Sequence, residues 1–309
     1  MTFQFDGRTA KIAQYYARAA NGSNGAPFSL QVALTDACFN RCIGCQHPLR
    51  VQRKMSVAAY LTVADRLRHK VESICYSGGD PMAHQDFNDV MRWHLDRSIA
   101  FGMTITGYVP PHIDRDLLRQ AAWVRCSLDA VEPELYAKVR GHTPLRKVLA
   151  HIEELMALGT NVQLGITVHP DNEHHVGEVL EWGRARGITR MDTRYAYPNS
   201  NPRWPDVDSS PRGVQKFNRC HAALYQLYID SDGSVFPCCI TAGDTRAEPQ
   251  AYDLGNIFLQ PWEEIWSAVV KYSQLDIAKL PEICRTCCVQ RLSEINHVCD
   301  QLRTEQSFF

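Results

Sequence analysis

Three cysteines packed into one short loop constrain this chain more than any other feature. Cys38, Cys42 and Cys45 stand in a C-x3-C-x2-C pattern inside the stretch Thr35 to His47. Thiolates spaced in this way can hold three irons of a cubic iron–sulfur cluster and leave the fourth iron without a protein ligand. An open coordination position is a place for chemistry rather than for electron storage alone. Zinc also takes a C-x2-C pair but needs a fourth ligand. His47 could supply it, although four ligands from one short loop would strain a tetrahedral site. Directly before the loop, Leu30, Val32 and Leu34 alternate with smaller or polar residues. This period of two predicts a strand over 29–34 that delivers the chain straight into the cysteines.

The remainder of the first two thirds alternates. Strands are predicted over 72–77, 101–107, 123–129, 161–168 and 189–196, and helices over 57–70, 84–98, 114–121, 144–158 and 173–186. Ser56 is a good N-cap for the first of these helices, and Gly159 and Gly187 stop the last two. Repeated strand–helix pairs imply a parallel sheet with helices outside it. Functional groups in such folds gather at the C-terminal ends of the strands. Cys38 to Cys45, Gly78 to Asp80, Ser127 to Asp129 and Arg194 all fall there in this reading. A short helix over 8–19 and a turn-rich linker over 21–27 precede the alternation. A connector rich in Pro, Ser and Asn over 197–219 follows it. Next come a strand over 224–229, the turn Asp230-Ser231-Asp232-Gly233 and a second strand through 238, which is a hairpin signal. A helix over 261–273 and a terminal helix complete the chain.

Composition narrows the setting. The N-terminus lacks the apolar core of a secretory signal, and no run approaches the length of a membrane span, so a cytoplasmic protein without a membrane role is expected. Twelve cysteines then point to metal or redox chemistry instead of disulfides. Cys75 and Cys126 sit inside apolar runs and are expected to be simple packing residues. A net charge of −1 with no block of like charges argues against a nucleic-acid partner. His84, His142, His169, His174 and His175 are scattered over loops and helix starts; any one could serve as a base, and a solvated surface role is the plainer expectation.

The cysteine loop and the turn Gly78-Gly79-Asp80-Pro81 after the second strand resemble the radical S-adenosylmethionine enzymes. The resemblance implies an α/β fold, a partial (β/α)6 TIM-like barrel, with a [4Fe–4S] cluster on Cys38, Cys42 and Cys45 that binds S-adenosylmethionine at its open iron. It also implies that Gly78, Gly79 and Asp80 receive the methionine ammonium group. Ser127 and Asp129, in the segment Ser127 to Gly141, would lie near the ribose or carboxylate, with Thr167 and Arg194 as further contacts. One residue departs from the family habit: Gly44 stands before the third cysteine where an aromatic commonly packs on adenine, so Ile43 or His47 is expected to cover that face.

A second cysteine set, Cys220, Cys238, Cys284 and Cys287, with Gly233 five residues before Cys238, resembles the twitch domain, the shortened SPASM domain of several radical enzymes. It implies a small C-terminal β-hairpin/helix cluster domain and one auxiliary [4Fe–4S] cluster, with a structural zinc on four cysteines as the lesser alternative. The division expected is 1–28 for the N-terminal helix and linker, 29–200 for the barrel, 201–219 for a linker and 220–309 for the cluster domain and terminal helix. The ligand spacing is similar to that of aminocyclitol dehydrogenases in this family. The expected reaction is therefore oxidation of a secondary alcohol on a sugar-like small molecule of natural-product assembly. A flavodoxin or ferredoxin would supply the first electron and the auxiliary cluster would accept the second. Little chain precedes the barrel for a leader-peptide-binding domain, which mildly disfavours a peptide. Alternatives are decarboxylation of a sugar acid, a zinc-stabilised binding module, or epimerisation with Cys239, Cys288 or Cys299 as hydrogen donor.

Overall fold

Each strand of this chain has two unlike faces, and their alternation builds the sheet. The computed structural model describes residues 25–45, 52–196, 217–243 and 252–281, together with Cys284 and Asn296. The helix expected at 8–19, most of the connector over 197–219, His47, Cys287, Cys288, Cys299 and the terminal helix lie outside the described residues. Six strands, β1 (Ser29–Ala33), β2 (Ser73–Ser77), β3 (Ala100–Ile105), β4 (Trp123–Ser127), β5 (Val162–Val168) and β6 (Met191–Tyr195), lie parallel in sequential order. Between them run α1 (Val57–Leu67), α2 (Phe87–Arg97), α3 (Arg115–Leu118), α4 (Pro133–Arg140), α5 (Leu145–Ala157) and α6 (Val176–Ala185). This is the expected partial (β/α)6 barrel.

Local chemistry sets these elements. Ser56 accepts a hydrogen bond from Ala59 N and caps α1, while the Glu132 carboxylate accepts from Glu134 N and Leu135 N at the start of α4. Gly159 and Gly187, both at φ +78°, end α5 and α6 in the left-handed region where a side chain is disfavoured. One face of each strand packs on helices. Ile74 and Tyr76 of β2 are fully buried, and the Tyr76 ring meets Phe87 and His94 of α2 edge-on. Burying each such side chain contributes about 1.5–3 kcal/mol. The opposite face carries Ser73, Cys75 and Ser77, all half-buried. It forms the barrel interior. Cys126 is fully buried on the helix side, as expected, whereas Cys75 is not a packing residue. It faces the interior, and Gln226 Nε2 donates to its sulfur at 3.6 Å.

The C-terminal hairpin is not a free-standing appendage. After the short helix α7 (Ala222–Tyr225), β7 (Gln226–Ile229) pairs in parallel with β1, with Ser29 opposite Gln226 and Val32 opposite Ile229. β8 (Val235–Phe236) returns antiparallel to β7. The sheet thus has eight strands in the order β6-β5-β4-β3-β2-β1-β7-β8. The second expected strand is shorter than its sequence suggested, because the chain turns at Pro237 towards Cys238. Leu224, Leu227, Ile229 and Val235, with Ile265 and Val269 of α8 (Trp262–Ser273), share one continuous core with the barrel. Period-two reading could find this hairpin but could not say which strand it would join.

Candidate active site

The cysteine loop leaves the C-terminal end of β1 and is held from three sides. Beneath it, the Gly78–Gly79 turn donates from Gly79 N to Thr35 O at 3.0 Å, and Asp80 N donates to Ala37 O at 2.7 Å. A Cβ on Gly79 would lie 2.0 Å from Ala37 O, and one on Gly78, at φ +103°, would lie 2.5 Å from Ala33 Cβ. The glycines are therefore needed for the turn to nest against the cysteine loop itself. From a second side, Arg41 N and Ile43 N donate to the carbonyls of Arg140 and Val139 at the end of α4. Thr143 N donates to Asn40 Oδ1 at 3.0 Å. From the third side, Arg53 pairs with Asp36 at 3.5 Å, Asp230 at 3.4 Å and Asp232 at 2.9 Å, and so ties the loop to the β7–β8 turn. The loop's shape is fixed by protein contacts.

Asp80 does not stand as expected. It is fully buried, its Oδ1 accepts from Met82 N at 2.9 Å and its Oδ2 from Thr106 N at 2.8 Å. Burial pushes its carboxyl above the usual range, against the pull of those donors. The side chain locks β2 to β3 beneath the loop, and the accessible part of the turn is half-buried Ser77, Gly78 and Gly79. Asp129 is likewise internal. Its Oδ1 accepts from Thr167 N at 2.7 Å, and its Oδ2 pairs with buried Arg140 at 3.1 Å. Ser127 and Thr167 are half-buried at the ends of β4 and β5, and Arg194 is exposed on β6, where its Nε donates to Thr167 Oγ1 at 3.5 Å. A Cβ on Gly44 would be 3.4 Å from Ala196 Cβ and 3.6 Å from Thr167 Cγ2, so the loop passes over the ends of β5 and β6.

The histidines separate cleanly. His84 bridges Met55 O and Asp86 N, and His175 accepts from Val131 N, so both are structural. His142 and His174 are exposed. His169 is buried beside Gly44, and desolvation holds its pKa below the ordinary value.

The donor set suits an iron–sulfur cluster. Cys38, Cys42 and Cys45 form no disulfide and are half-buried. Burial pushes the Cys42 thiol up to about 12, and the nearby Arg140 guanidinium opposes that shift. Metal binding would deprotonate such a thiol outright. Among the described residues no three His, Cys, Asp or Glu side chains close on a single ion. Ligands of a cube each hold a separate iron and need no such convergence. At the other end of β7, Cys220 precedes α7 and Cys238 follows β8. Tyr272 OH lies 3.6 Å from Cys284 Sγ, and the same phenol is under the field of Cys220 and Cys238. Asn296 Nδ2 donates to Cys220 Sγ at 3.8 Å. Three of the four expected auxiliary ligands are thereby gathered; Cys287 is outside the described residues. Cys239 packs with Cys238 and Cys284 around Ile240 and Tyr252, and its thiol also has a hydrogen bond with the Gln31 side chain and the Arg194 charge nearby. Gln31 Nε2 also donates to Ser77 Oγ at 2.7 Å.

Arg140 and Gln31 were not singled out from sequence. The signal for Arg140 was its place on α4, where Tyr136, Val139 and Arg140 form the buried stripe. A charge on the apolar face of a helix needs an explanation. Gln31 is the polar interruption in a buried strand.

Comparisons with known proteins agree with this arrangement. Residues 32–183 match the radical SAM superfamily, and residues 220–288 match an iron–sulfur cluster-binding domain, SPASM. GTP 3′,8-cyclase of Nautilia profundicola is 24% identical over 184 residues, 55% of this chain and 58% of that protein. PqqA peptide cyclase of Streptomyces rochei is 23% identical over 304 residues, 87% of this chain and 83% of that protein. Streptococcus suis SuiB bound to precursor peptide SuiA shares the fold, with a TM-score of 0.67 at 13% identity over 86% of this chain and 70% of that one. The chain spans little more than half the length of the first curated relatives it matches. The two curated relatives are cyclases, not the aminocyclitol dehydrogenases whose ligand spacing the second cysteine set resembles. The chain carries a radical SAM domain followed by a SPASM-type domain, and so takes S-adenosylmethionine, a [4Fe–4S] cluster and auxiliary iron–sulfur.

Proposed function

We propose that this enzyme oxidises a secondary alcohol of a small hydroxylated substrate to a ketone, with a single auxiliary cluster on Cys220, Cys238, Cys284 and Cys287 accepting the second electron. The observation that supports this most is the polar barrel interior between the two cysteine sets. Gln31, Ser77, Ser127, Thr167 and Gln226 supply neutral donors and acceptors there, as hydroxyl groups require. When bound, S-adenosylmethionine and the reduced cluster supply a 5′-deoxyadenosyl radical that takes a hydrogen atom from the substrate. Cys38, Cys42 and Cys45 would hold that cluster. Gly78 and Gly79 would present backbone to the methionine ammonium, with Ser127, Thr167 and Arg194 near the remainder of the cofactor. The Asp80 and Asp129 carboxylates act from behind by fixing the turn and the end of β5. The two cysteine sets stand at opposite ends of the β1–β7 strand pair. A rise of about 3.3 Å per residue puts the ends of the four-residue β7 about 10 Å apart, and the substrate would lie between the two sets. A flavodoxin or ferredoxin is the proposed source of the first electron.

The test is anaerobic turnover with candidate polyols and aminocyclitols, read by mass. A loss of two hydrogens per product is expected. A Cys238→Ala, Cys284→Ala variant should fall from about eight irons per chain to about four, keep cleaving S-adenosylmethionine and form no ketone. Ketone formed by that variant at the normal rate would sink the proposal. A second reading, radical modification of a peptide, is favoured by the likeness to a PqqA peptide cyclase and to SuiB with its precursor peptide. Incorporation of deuterium from D2O into a product of unchanged composition would instead support epimerisation with Cys239, Cys288 or Cys299 as donor.

A further inference from the structure

Arg140 stands out among the groups this reaction leaves without a task. It is 6% exposed, at the end of α4, and its backbone carbonyl receives the Arg41 N–H of the cysteine loop. Its Nη1 is engaged by Asp129, but its Nε–H is buried without a hydrogen-bond partner. An unmade hydrogen bond on a buried guanidinium is costly, and such groups are seldom left idle. The charged and ionisable groups in its field are Cys42, Asp129, Tyr136 and Cys38, and Asp80 and His169 feel its charge as well. Asp129 is already satisfied by Thr167 N and by Nη1. Asp80 is held by Met82 N and Thr106 N, so the Tyr136 hydroxyl and the loop thiols are what remain.

We propose that Arg140 is the positioning residue of the primary cluster: its backbone fixes the loop that carries Cys42, and its free Nε–H is a donor held for the sulfur of the cluster. This rests on the assignment of Cys38, Cys42 and Cys45 as cluster ligands. A three-thiolate cluster is an anionic group. A buried cation and an N–H donor beside it favour the reduced, more negative state and raise its potential. Asp129 has the opposite effect, because its charge offsets that of Arg140. The pair Asp129–Arg140 therefore sets the potential in opposite directions from the two ends of one ion pair.

The experiment is potentiometric titration of the reconstituted full-length protein, followed by low-temperature EPR. Iron and sulfide content and an EPR signal in the unaltered protein test the ligand assignment by themselves, independently of Arg140. Arg140→Lys keeps a charge for Asp129 but removes the Nε–H, and its midpoint is expected to move to more negative potential with altered g-values. Asp129→Asn is expected to move the midpoint positive. If Arg140→Lys loads no cluster, the sign of the shift in Asp129→Asn decides. Midpoints that stay unchanged in the loaded variants overturn the proposal. So does a loss of S-adenosylmethionine affinity in Arg140→Lys at an unchanged midpoint, which would make Arg140 a cofactor contact instead.

Discussion

At Gly79 the decisive fact is a missing atom. An added Cβ would lie 2.0 Å from Ala37 O, in backbone that cannot withdraw without lifting the cysteine loop. Gly79→Ala should therefore cost about 1–3 kcal/mol. It should also lower iron retention on gel filtration; full iron content in this variant would show that the loop tolerates displacement. Cys42→Ala should abolish S-adenosylmethionine cleavage while sparing the auxiliary iron, as measured by 5′-deoxyadenosine release and metal analysis. The cysteines of both sets were legible in the sequence because their spacing is itself the signal. The roles of Asp80 and Asp129 were not. An acid after two glycines looks free to meet an ammonium group, and only the structure shows its oxygens taken by Met82 N and Thr106 N.

Among the elements, α4 and the β7–β8 turn do the work of holding the loop. Asn40 is fully buried, and its side chain receives Thr143 N. Asn40→Ala leaves that N–H unpaired and should cost about 1–3 kcal/mol, with faster hydrogen exchange at 139–143. Arg53 behaves differently. Its guanidinium is 42% exposed, so each ion pair is worth about 0–1 kcal/mol in water. Arg53→Ala should barely move the melting temperature yet speed exchange in both the cysteine loop and the Asp230–Asp232 turn. Faster exchange in only one of them would show that the two are not coupled. The helices α1, α5 and α6 were readable from an N-cap serine and stopping glycines. The start of α2 was not, because His84 to Asp86 form a turn in which the His84 ring accepts from Asp86 N, so the helix begins only at Phe87.

For the whole molecule, the buried chain Tyr60–Tyr76–His94 links α1, β2 and α2. His94 Nδ1–H donates to Ile99 O at 3.1 Å, so Nε2 accepts from Tyr76 OH at 2.6 Å, and Tyr60 OH lies 3.1 Å from Tyr76 OH. Burial lowers the His94 pKa from 6.5 to about 4. The folded state therefore keeps the neutral ring, while the unfolded chain takes up a proton as pH falls. Stability is full above pH 6.5 and declines towards pH 4, by about 3 kcal/mol from this group. Denaturant titrations across that window should show the slope, and His94→Gln should flatten it; an unchanged slope would place the effect elsewhere. By itself the sequence determined the cofactors and most of the elements. Cysteine spacing, strand alternation and capping residues are local, and short-range physics enforces them. Tertiary structure alone decided that β7 lies beside β1, that Cys75 faces the barrel interior, that Cys239 reaches Gln31 of β1, and that Arg140 stands behind Cys42. Those placements depend on which distant surfaces bury each other, and no local period records that choice.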